Sequence, residues 1–514
     1  MLDRRTFLRT LAALGAAAAA PACALTRPRF ASDPFSLGVA SGYPRPDGAV
    51  IWTRLASEPS RGDGGLDPIG IPVRWEVARD ERFSALAASG AAQATPEWAH
   101  SVHVELNGLD PDRWYWYRFS SGDAASPAGR LRTAPRADSA PTRLRFAFAS
   151  CQQYEQGWFT AYRHMARDDL DLVVFLGDYI YESSWGREHV RKHNFPEPYT
   201  LEDYRARYAL YKGDADLQAA HRAFPWIVTW DDHEVDNDYA NDRPEDGMPP
   251  GQFLLRRAAA YKAYYEHMPL PAAMRPNGLD MRIYTKLAWG SLANFYVLDD
   301  RQYRSHQVCP RKSGGSTVVD PAECREIRDP NRTMLGAQQE TWLDREFADS
   351  RAAWNIVAQQ TLMAQLDRGP GEGQRFWTDG WDGYPAARRR LLESAVAKKL
   401  ANPVVIGGDV HMHWVAGLKP DFDDAKSPVV ATEFVGTSIT SQAMAQKAVD
   451  AALLENPHIK YGRSDRRGYA RAAIGAGRFS AEMIGLETVK RPDSESSVLA
   501  RFVVEDGRPG AQRA

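Results

Sequence analysis

Leu172-Val173-Val174-Phe175-Leu176-Gly177-Asp178-Tyr179-Ile180-Tyr181 is the stretch from which the rest of this chain can be read. Its five consecutive apolar residues suit a strand buried on both faces of a sheet. Gly177 ends the run, and Asp178 and Tyr181 follow at once. Three other stretches end in the same manner. Leu144-Arg145-Phe146-Ala147-Phe148-Ala149 leads through Ser150 to Cys151. Trp226-Ile227-Val228-Thr229-Trp230 leads to Asp231, Asp232 and His233. Val404-Val405-Ile406 leads through Gly407-Gly408 to Asp409 and His411. Helical stretches fall between them, at Trp158 to Arg167, Leu201–Tyr211, Gln252–His267, Gln338–Asp349 and Ala386–Lys399. Buried strands alternating with helices predict an α/β domain, and such sheets place their sites at the carboxyl ends of strands. One Asp after a strand is ordinary turn chemistry. Four such endings that also carry His and an unpaired Cys point to a site.

The residue types narrow the chemistry. Carboxylates gathered in a cleft raise one another's pKa, so they stay ionised together only beside cations. Thiolate, phenolate and imidazole suit a transition metal, and a neighbouring carboxylate-rich centre suits a hard ion such as calcium. A mixed metal site is therefore expected, and spacing alone does not name its ions.

Gly177-Asp178-Tyr179-Ile180-Tyr181 resembles the Gly-Asp-x-x-Tyr motif of metallophosphoesterases. Asp232-His233-Glu234 resembles their Asn-His-Glu, with Asp in place of Asn. Gly408-Asp409-Val410-His411 resembles their Gly-His-x-His, with Asp in place of the first His, and Cys151 stands where those enzymes usually carry Asp. Together with Phe146 to Tyr154, Thr229 to Glu234, Ala258 to Pro269 and Asp300-Arg301-Gln302-Tyr303-Arg304, these departures resemble the PhoD family of alkaline phosphatases from about Asp33 onward. The resemblance implies a metallophosphoesterase-like α/β layered sandwich and the hydrolysis of phosphate esters by metal-activated hydroxide. It also implies a ferric ion with calcium. Carried over residue by residue, Cys151, Asp178, Tyr181 and His411 would bind iron. Asp178 would bridge to calcium, with Asp232 and Asp409 on the calcium side, and Asn237, with Asp231, would be a weaker candidate for a further calcium. Trading neutral Asn and His for Asp supplies the anionic oxygens that calcium prefers. His233 would act on the departing or phosphoryl oxygen as a general acid or clamp. Arg301 would grip phosphate or serve as an ion-pair anchor.

The front of the chain has a different texture. From Phe35 to Thr133, alternating stretches such as Val73-Arg74-Trp75-Glu76-Val77, Val102-His103-Val104-Glu105-Leu106 and Trp114-Tyr115-Trp116-Tyr117-Arg118-Phe119 are punctuated by Gly, Pro and Asp. This predicts a small fibronectin-like β-sandwich over residues 33–133. The Pro-bearing polar stretch 134–142 marks the boundary to a catalytic domain over 143–514.

Arg4-Arg5 followed by a mild apolar run and Ala22-Cys23-Ala24 reads as a cleaved signal over residues 1–24, resembling a twin-arginine signal. The expected location is periplasmic or secreted, reached through the twin-arginine export machinery, with no transmembrane helix in the mature chain. Among the four cysteines, Cys23 leaves with the signal or becomes its lipid site, and Cys309 and Cys324 flank a Gly/Ser-bearing loop as a plausible disulfide. A formal net charge of -2 over 514 residues provides no field for nucleic acid or an anionic membrane. Small phosphate esters or phosphodiesters are the expected partners. Two rivals remain at this level: a phosphodiesterase or phospholipase D on the same metal centre, and a non-catalytic calcium-binding adhesion protein. Thiol and imidazole ligands argue against the latter.

Overall fold

The computed structural model describes residues 28–312 and 314–514, and the signal over residues 1–24, with Cys23, lies outside them. Two large mixed sheets organise the chain. The ten-stranded sheet has at its centre the parallel trio Leu144–Ala149, Leu172–Leu176 and Pro225–Thr229. In the seven-stranded sheet, Ala293–Val297, Trp354–Ala358, Pro403–Gly407 and Ala431–Val435 run parallel. The two sheets face each other across an aromatic core. Phe146 meets Phe295 edge-on with centroids 5.2 Å apart, and Phe479 stacks on Phe434 at 5.5 Å. Helices cover the outer faces. Thr160–Met165 sets Tyr162 against Trp226 of the first sheet. Gly336–Asp349 and Pro385–Ala397 bury Leu343, Phe347, Leu391 and Leu392 against Val357 and Val405 of the second.

All five expected helices are present with shifted ends; Leu201–Lys212, for example, starts on a capping box made by Thr200 and Asp203. Two more, Ala215–Ala223 and Gln446–Glu455, carried no expectation. Nor did the antiparallel strands Gly468–Gly475, Arg478–Leu486, Ser496–Glu505 and Arg508–Arg513 at one edge of the large sheet. Their inward positions include Ala470, Ala472, Ala481 and Ala500, which are buried but too small to give a clear hydrophobic alternation.

The front region contributes strands to two layers, one of which is shared with the large sheet. Val39–Arg45, Gly48–Arg54 and Ser101–Glu105 are the last three strands of the ten-stranded sheet, joined to it where Ser41 and Gly42 pair in parallel with Pro225 and Trp226. The Tyr43 hydroxyl donates to the Val228 carbonyl at 2.7 Å, reinforcing the joint. The other layer contains Ile71–Ala78, Leu86–Ala94, Trp114–Ser121 and Gly129–Arg132, packed on Val39 and Ile51 through Val73, Tyr115 and Leu131. Cys309 and Cys324 form a disulfide, Cys151 is a buried free thiol, and no helix among the described residues is long and apolar enough to cross a membrane.

Candidate metal centre

Three of the four flagged strand ends belong to the large sheet and the fourth, Pro403–Gly407, to the smaller one, so the site forms where the carboxyl ends of two facing sheets meet. There the backbone takes an uncommon path. Cys151, Asp178, Asp409 and His411 have φ of 60°, 56°, 62° and 60°, in the left-handed region that side chains other than glycine seldom enter. Such residues persist only where the surroundings over-determine them, and they gather at functional sites.

Close approach of the two sheet ends depends on glycine. Ser150 forms a bridge with Ser438, and a Cβ at Gly408 would lie 2.3 Å from the Ser150 Oγ. Gly408→Ala is therefore expected to lower stability by about 1–3 kcal/mol, the usual cost of overpacking, and denaturant unfolding of the variant checks it.

The expected iron ligands come together. A Cys151 Sγ, an Asp178 carboxylate oxygen and a His411 ring nitrogen all lie within 4.8 Å of one another. The Tyr181 hydroxyl is 2.7 Å from Asp178 Oδ2 and 3.2 Å from His411 Nε2. His411 Nδ1 donates to the Gln442 carbonyl at 2.7 Å, which leaves the Nε2 lone pair for a metal. Trp185 stacks on the His411 ring, with centroids 5.6 Å apart. A second group within the same limit is formed by Asp178, Asp232 and His233, so Asp178 belongs to both. Asp409 accepts from the Thr361 hydroxyl at 2.6 Å and lines the same cavity, of about 920 Å³. Asn237 also lines it, but its amide is turned to Glu245.

Arg301 is placed otherwise than as a phosphate grip. It is fully buried behind the carboxylates, bonded through Nε to Asp231 and through Nη1 to Asp379, with Asp232 at 3.6 Å. Its Nε and Nη1 are committed to acids, its Nη2 is buried without a hydrogen bond 3.8 Å from Asp409, and it has no place on the cavity wall, a placement that favours the ion-pair anchor of the two readings. Asp231, bound to it, is likewise a structural partner on one of its oxygens. In a third carboxylate group, Asp232, Asp238 and Asp379, Asp379 is paired with Arg301 and Arg304, Asp232 lies 3.6 Å from Arg301, and Asp238 accepts from Ser316.

Buried polar atoms indicate that the first two groups suit cations. Asp178 Oδ1 and Asp231 Oδ2 are buried without any hydrogen-bond partner. Burial, then Asp232, Asp231 and Glu234, push the Asp178 carboxyl well up against the pull of His233. Burial and the Asp178 charge push up Cys151 and Tyr181, and Asp409 is raised to about 7 by burial and neighbouring acids despite Arg301. Burial and Arg467 lower His411 to about 3, keeping it the neutral imidazole that a metal requires. Anionic ligands whose charged forms are penalised without cations are what an ion of high charge would stabilise.

Several residues of the site carried no expectation. Glu182 holds His233 Nδ1 at 2.7 Å. Glu234 accepts the backbone N–H groups of Asp178, Tyr179 and Asp231, tying two strand ends together. Ser441 donates to Tyr181 at 2.8 Å. Glu182 and Glu234 adjoin flagged residues and were visible as neighbours, whereas Ser441 and Gln442 carry no sequence signal.

Facing mixed sheets flanked by helices, with two buried ligand groups sharing one carboxylate at the mouth of a cavity, define an α/β protein with a candidate two-part metal centre. The family model described as PhoD-like phosphatase matches residues 146–483, and that described as PhoD-like phosphatase, N-terminal domain, matches residues 18–135. The chain is 47% identical over 496 residues to alkaline phosphatase D of Bacillus subtilis (strain 168), covering 95% of this chain and 83% of that one. A solved structure of PhoD is 46% identical and superposes with a TM-score of 0.89, covering 95% of this chain and 93% of its own. The chain belongs to the PhoD-like phosphatase family.

Proposed function

We propose that this phosphatase is an exported enzyme that hydrolyses small phosphate esters at a mixed ferric–calcium centre. The observation that carries the reading is the sharing of Asp178 between a thiol–phenol–imidazole group and a second group that contains Asp232 and His233. The first donor set suits ferric iron, with Cys151, Tyr181 and His411, and the second suits calcium, with Asp232 and Asp409. Asn237 is a weaker calcium candidate that would have to leave Glu245. The fold reading that accompanies it is a metallophosphoesterase-like layered sandwich over 143–514, behind a fibronectin-like sandwich over 33–133. A twin-arginine signal over 1–24 would direct the chain to the periplasm or beyond.

Cations held there would supply Lewis-acid charge for the phosphoryl oxygens and lower the pKa of water. The chain's own groups orient and exchange protons. Glu182 holds the His233 ring through Nδ1, and Nε2 makes no hydrogen bond among the described residues, which suits it to protonate the departing ester oxygen. Thr361 fixes Asp409, and Arg301 holds the carboxylates behind the wall in register.

Purified holoenzyme is expected to be coloured, since thiolate and phenolate donate charge to ferric iron, to contain iron and calcium, and to be reversibly silenced by a calcium chelator. A colourless, iron-free preparation with full activity would overturn the iron assignment. Indifference to chelation would overturn the calcium assignment.

A further inference from the structure

The cavity in front of the candidate centre has an acidic wall that includes Glu197, Asp236, Glu245 and Asp246 beyond the ligand carboxylates. Arg368 is the sole arginine or lysine of that described wall. Buried arginines elsewhere in the fold are held by backbone carbonyls, as Arg54 and Arg207 are, or by carboxylate partners: Arg301 and Arg304 share Asp379, Arg256 holds Asp236, and Arg388 holds Asp382 at 2.6 Å. Arg368 has none among the described residues, and its Nε is buried without a hydrogen bond. Arg368 is half-buried and carries its charge beside these acids with no ion-pair partner among the described residues, which leaves it placed to meet an anion from outside.

Its position is fixed from three sides. The Arg368 backbone N–H donates to the Arg375 carbonyl at 2.9 Å, closing a loop whose base is held by Asp367. One Asp367 oxygen accepts from the backbone N–H groups of Gly369 and Arg375, and Asn456 clamps the Asp367 backbone by two bonds of 2.9 Å. The guanidinium lies over the Trp377 ring, 5.1 Å from its centroid, and that indole is itself tied to the Ser316 hydroxyl at 2.8 Å. Stacking on an indole leaves the guanidinium edge, with its fork of donors, free to meet two oxygens.

Resting on the phosphatase reading, we propose that Arg368 is the substrate-binding residue of this cavity, donating its free guanidinium edge to phosphate oxygens of the bound ester. The shared chemistry is a phosphate oxyanion, from either the reacting phosphoryl group or a second phosphate on the leaving group. The acidic wall makes this one cation decisive, because it offsets the repulsion that an incoming phosphate meets.

The test uses metal-loaded, full-length Arg368→Gln, Arg368→Lys and Arg368→Ala. Calorimetric binding of inorganic phosphate is measured with kcat and KM for 4-nitrophenyl phosphate and for an alkyl bisphosphate. Loss of a charged hydrogen-bond donor is expected to weaken phosphate binding and raise the monoester KM by about 10- to 100-fold in Arg368→Gln, with a much smaller change in kcat. Lysine should recover part of the loss, and millimolar guanidinium should restore phosphate binding to Arg368→Ala. If phosphate binding holds and only the bisphosphate KM rises, the bound oxyanion is the second phosphate, and the assignment of Arg368 stands. Unchanged phosphate binding with unchanged KM for both esters overturns it, as does a loss that neither lysine nor guanidinium relieves. Failure of the phosphatase reading is distinct: the unaltered enzyme would then turn over neither ester.

Discussion

Asp178→Asn is expected to lower kcat by about 10²- to 10³-fold and to strip both ions of the proposed centre from the protein together. The factor is that of losing a preorganised group which stabilises developing charge. The joint loss of ions follows from geometry, because Asp178 is the one residue common to both ligand groups. A structural explanation is separable from this one. Burial and neighbouring acids already push the Asp178 carboxyl well above its ordinary range in the metal-free fold, so the neutral amide mimics its protonated form. Metal-free Asp178→Asn should therefore unfold at nearly the same denaturant concentration as the metal-free parent, while the stabilisation gained on loading metal disappears. Metal analysis, saturating turnover and denaturant unfolding with and without ions read the three quantities. A variant that keeps one ion at full occupancy would show that the two groups do not share Asp178 in solution. Asp231→Asn offers the comparison: its carboxylate acts on the site through Arg301, so a loss of only about 10- to 100-fold is expected.

The candidate centre was legible from the sequence because the residues that converge there follow apolar strands, and an apolar run followed by Asp, His or Cys stands out whatever the fold. Cys151, Asp178, Tyr181 and His411 were visible for that reason, and they converge. What linear pattern does not carry is partition between sheets. Nothing in Val404 to Gly408 distinguishes a strand of the large sheet from one of the smaller sheet, and that difference makes the site a meeting of two edges. Residues acting through a single backbone contact were also hidden: Gln442 serves by its carbonyl oxygen and would do so with many side chains. The front region shows a related limit. Its alternation encodes two-layered packing, but the pairing of Ser41 and Gly42 with Pro225 and Trp226 is made by backbone groups and leaves no side-chain signature. Arg301 and Arg368 make the same point in opposite directions. Arg301 sits in a conspicuous run and is walled off, whereas Arg368 sits in a plain loop and faces the cavity.

His233→Gln is expected to be selective in what it damages. A general acid matters in proportion to how badly the departing oxygen needs a proton, so an alkyl phosphate should lose about 10²- to 10⁴-fold in kcat. 4-Nitrophenyl phosphate, whose phenolate leaves unprotonated, should lose far less. Glu182→Gln should reproduce the same selectivity in weaker form, since Glu182 touches only His233 Nδ1 and acts by fixing the ring. The contrast discriminates between the roles open to His233. Its ring lies close to Asp178 and Asp232, near enough to serve as a metal ligand, and stacks within 4.1 Å of the Tyr181 ring centroid. A ligand or a clamp on phosphoryl oxygens acts on both esters alike, because both place the same charge on those oxygens. Equal losses for the two substrates would therefore remove the proton-donor role and leave His233 as a ligand or a clamp, and a loss confined to the alkyl ester would fix it as the acid.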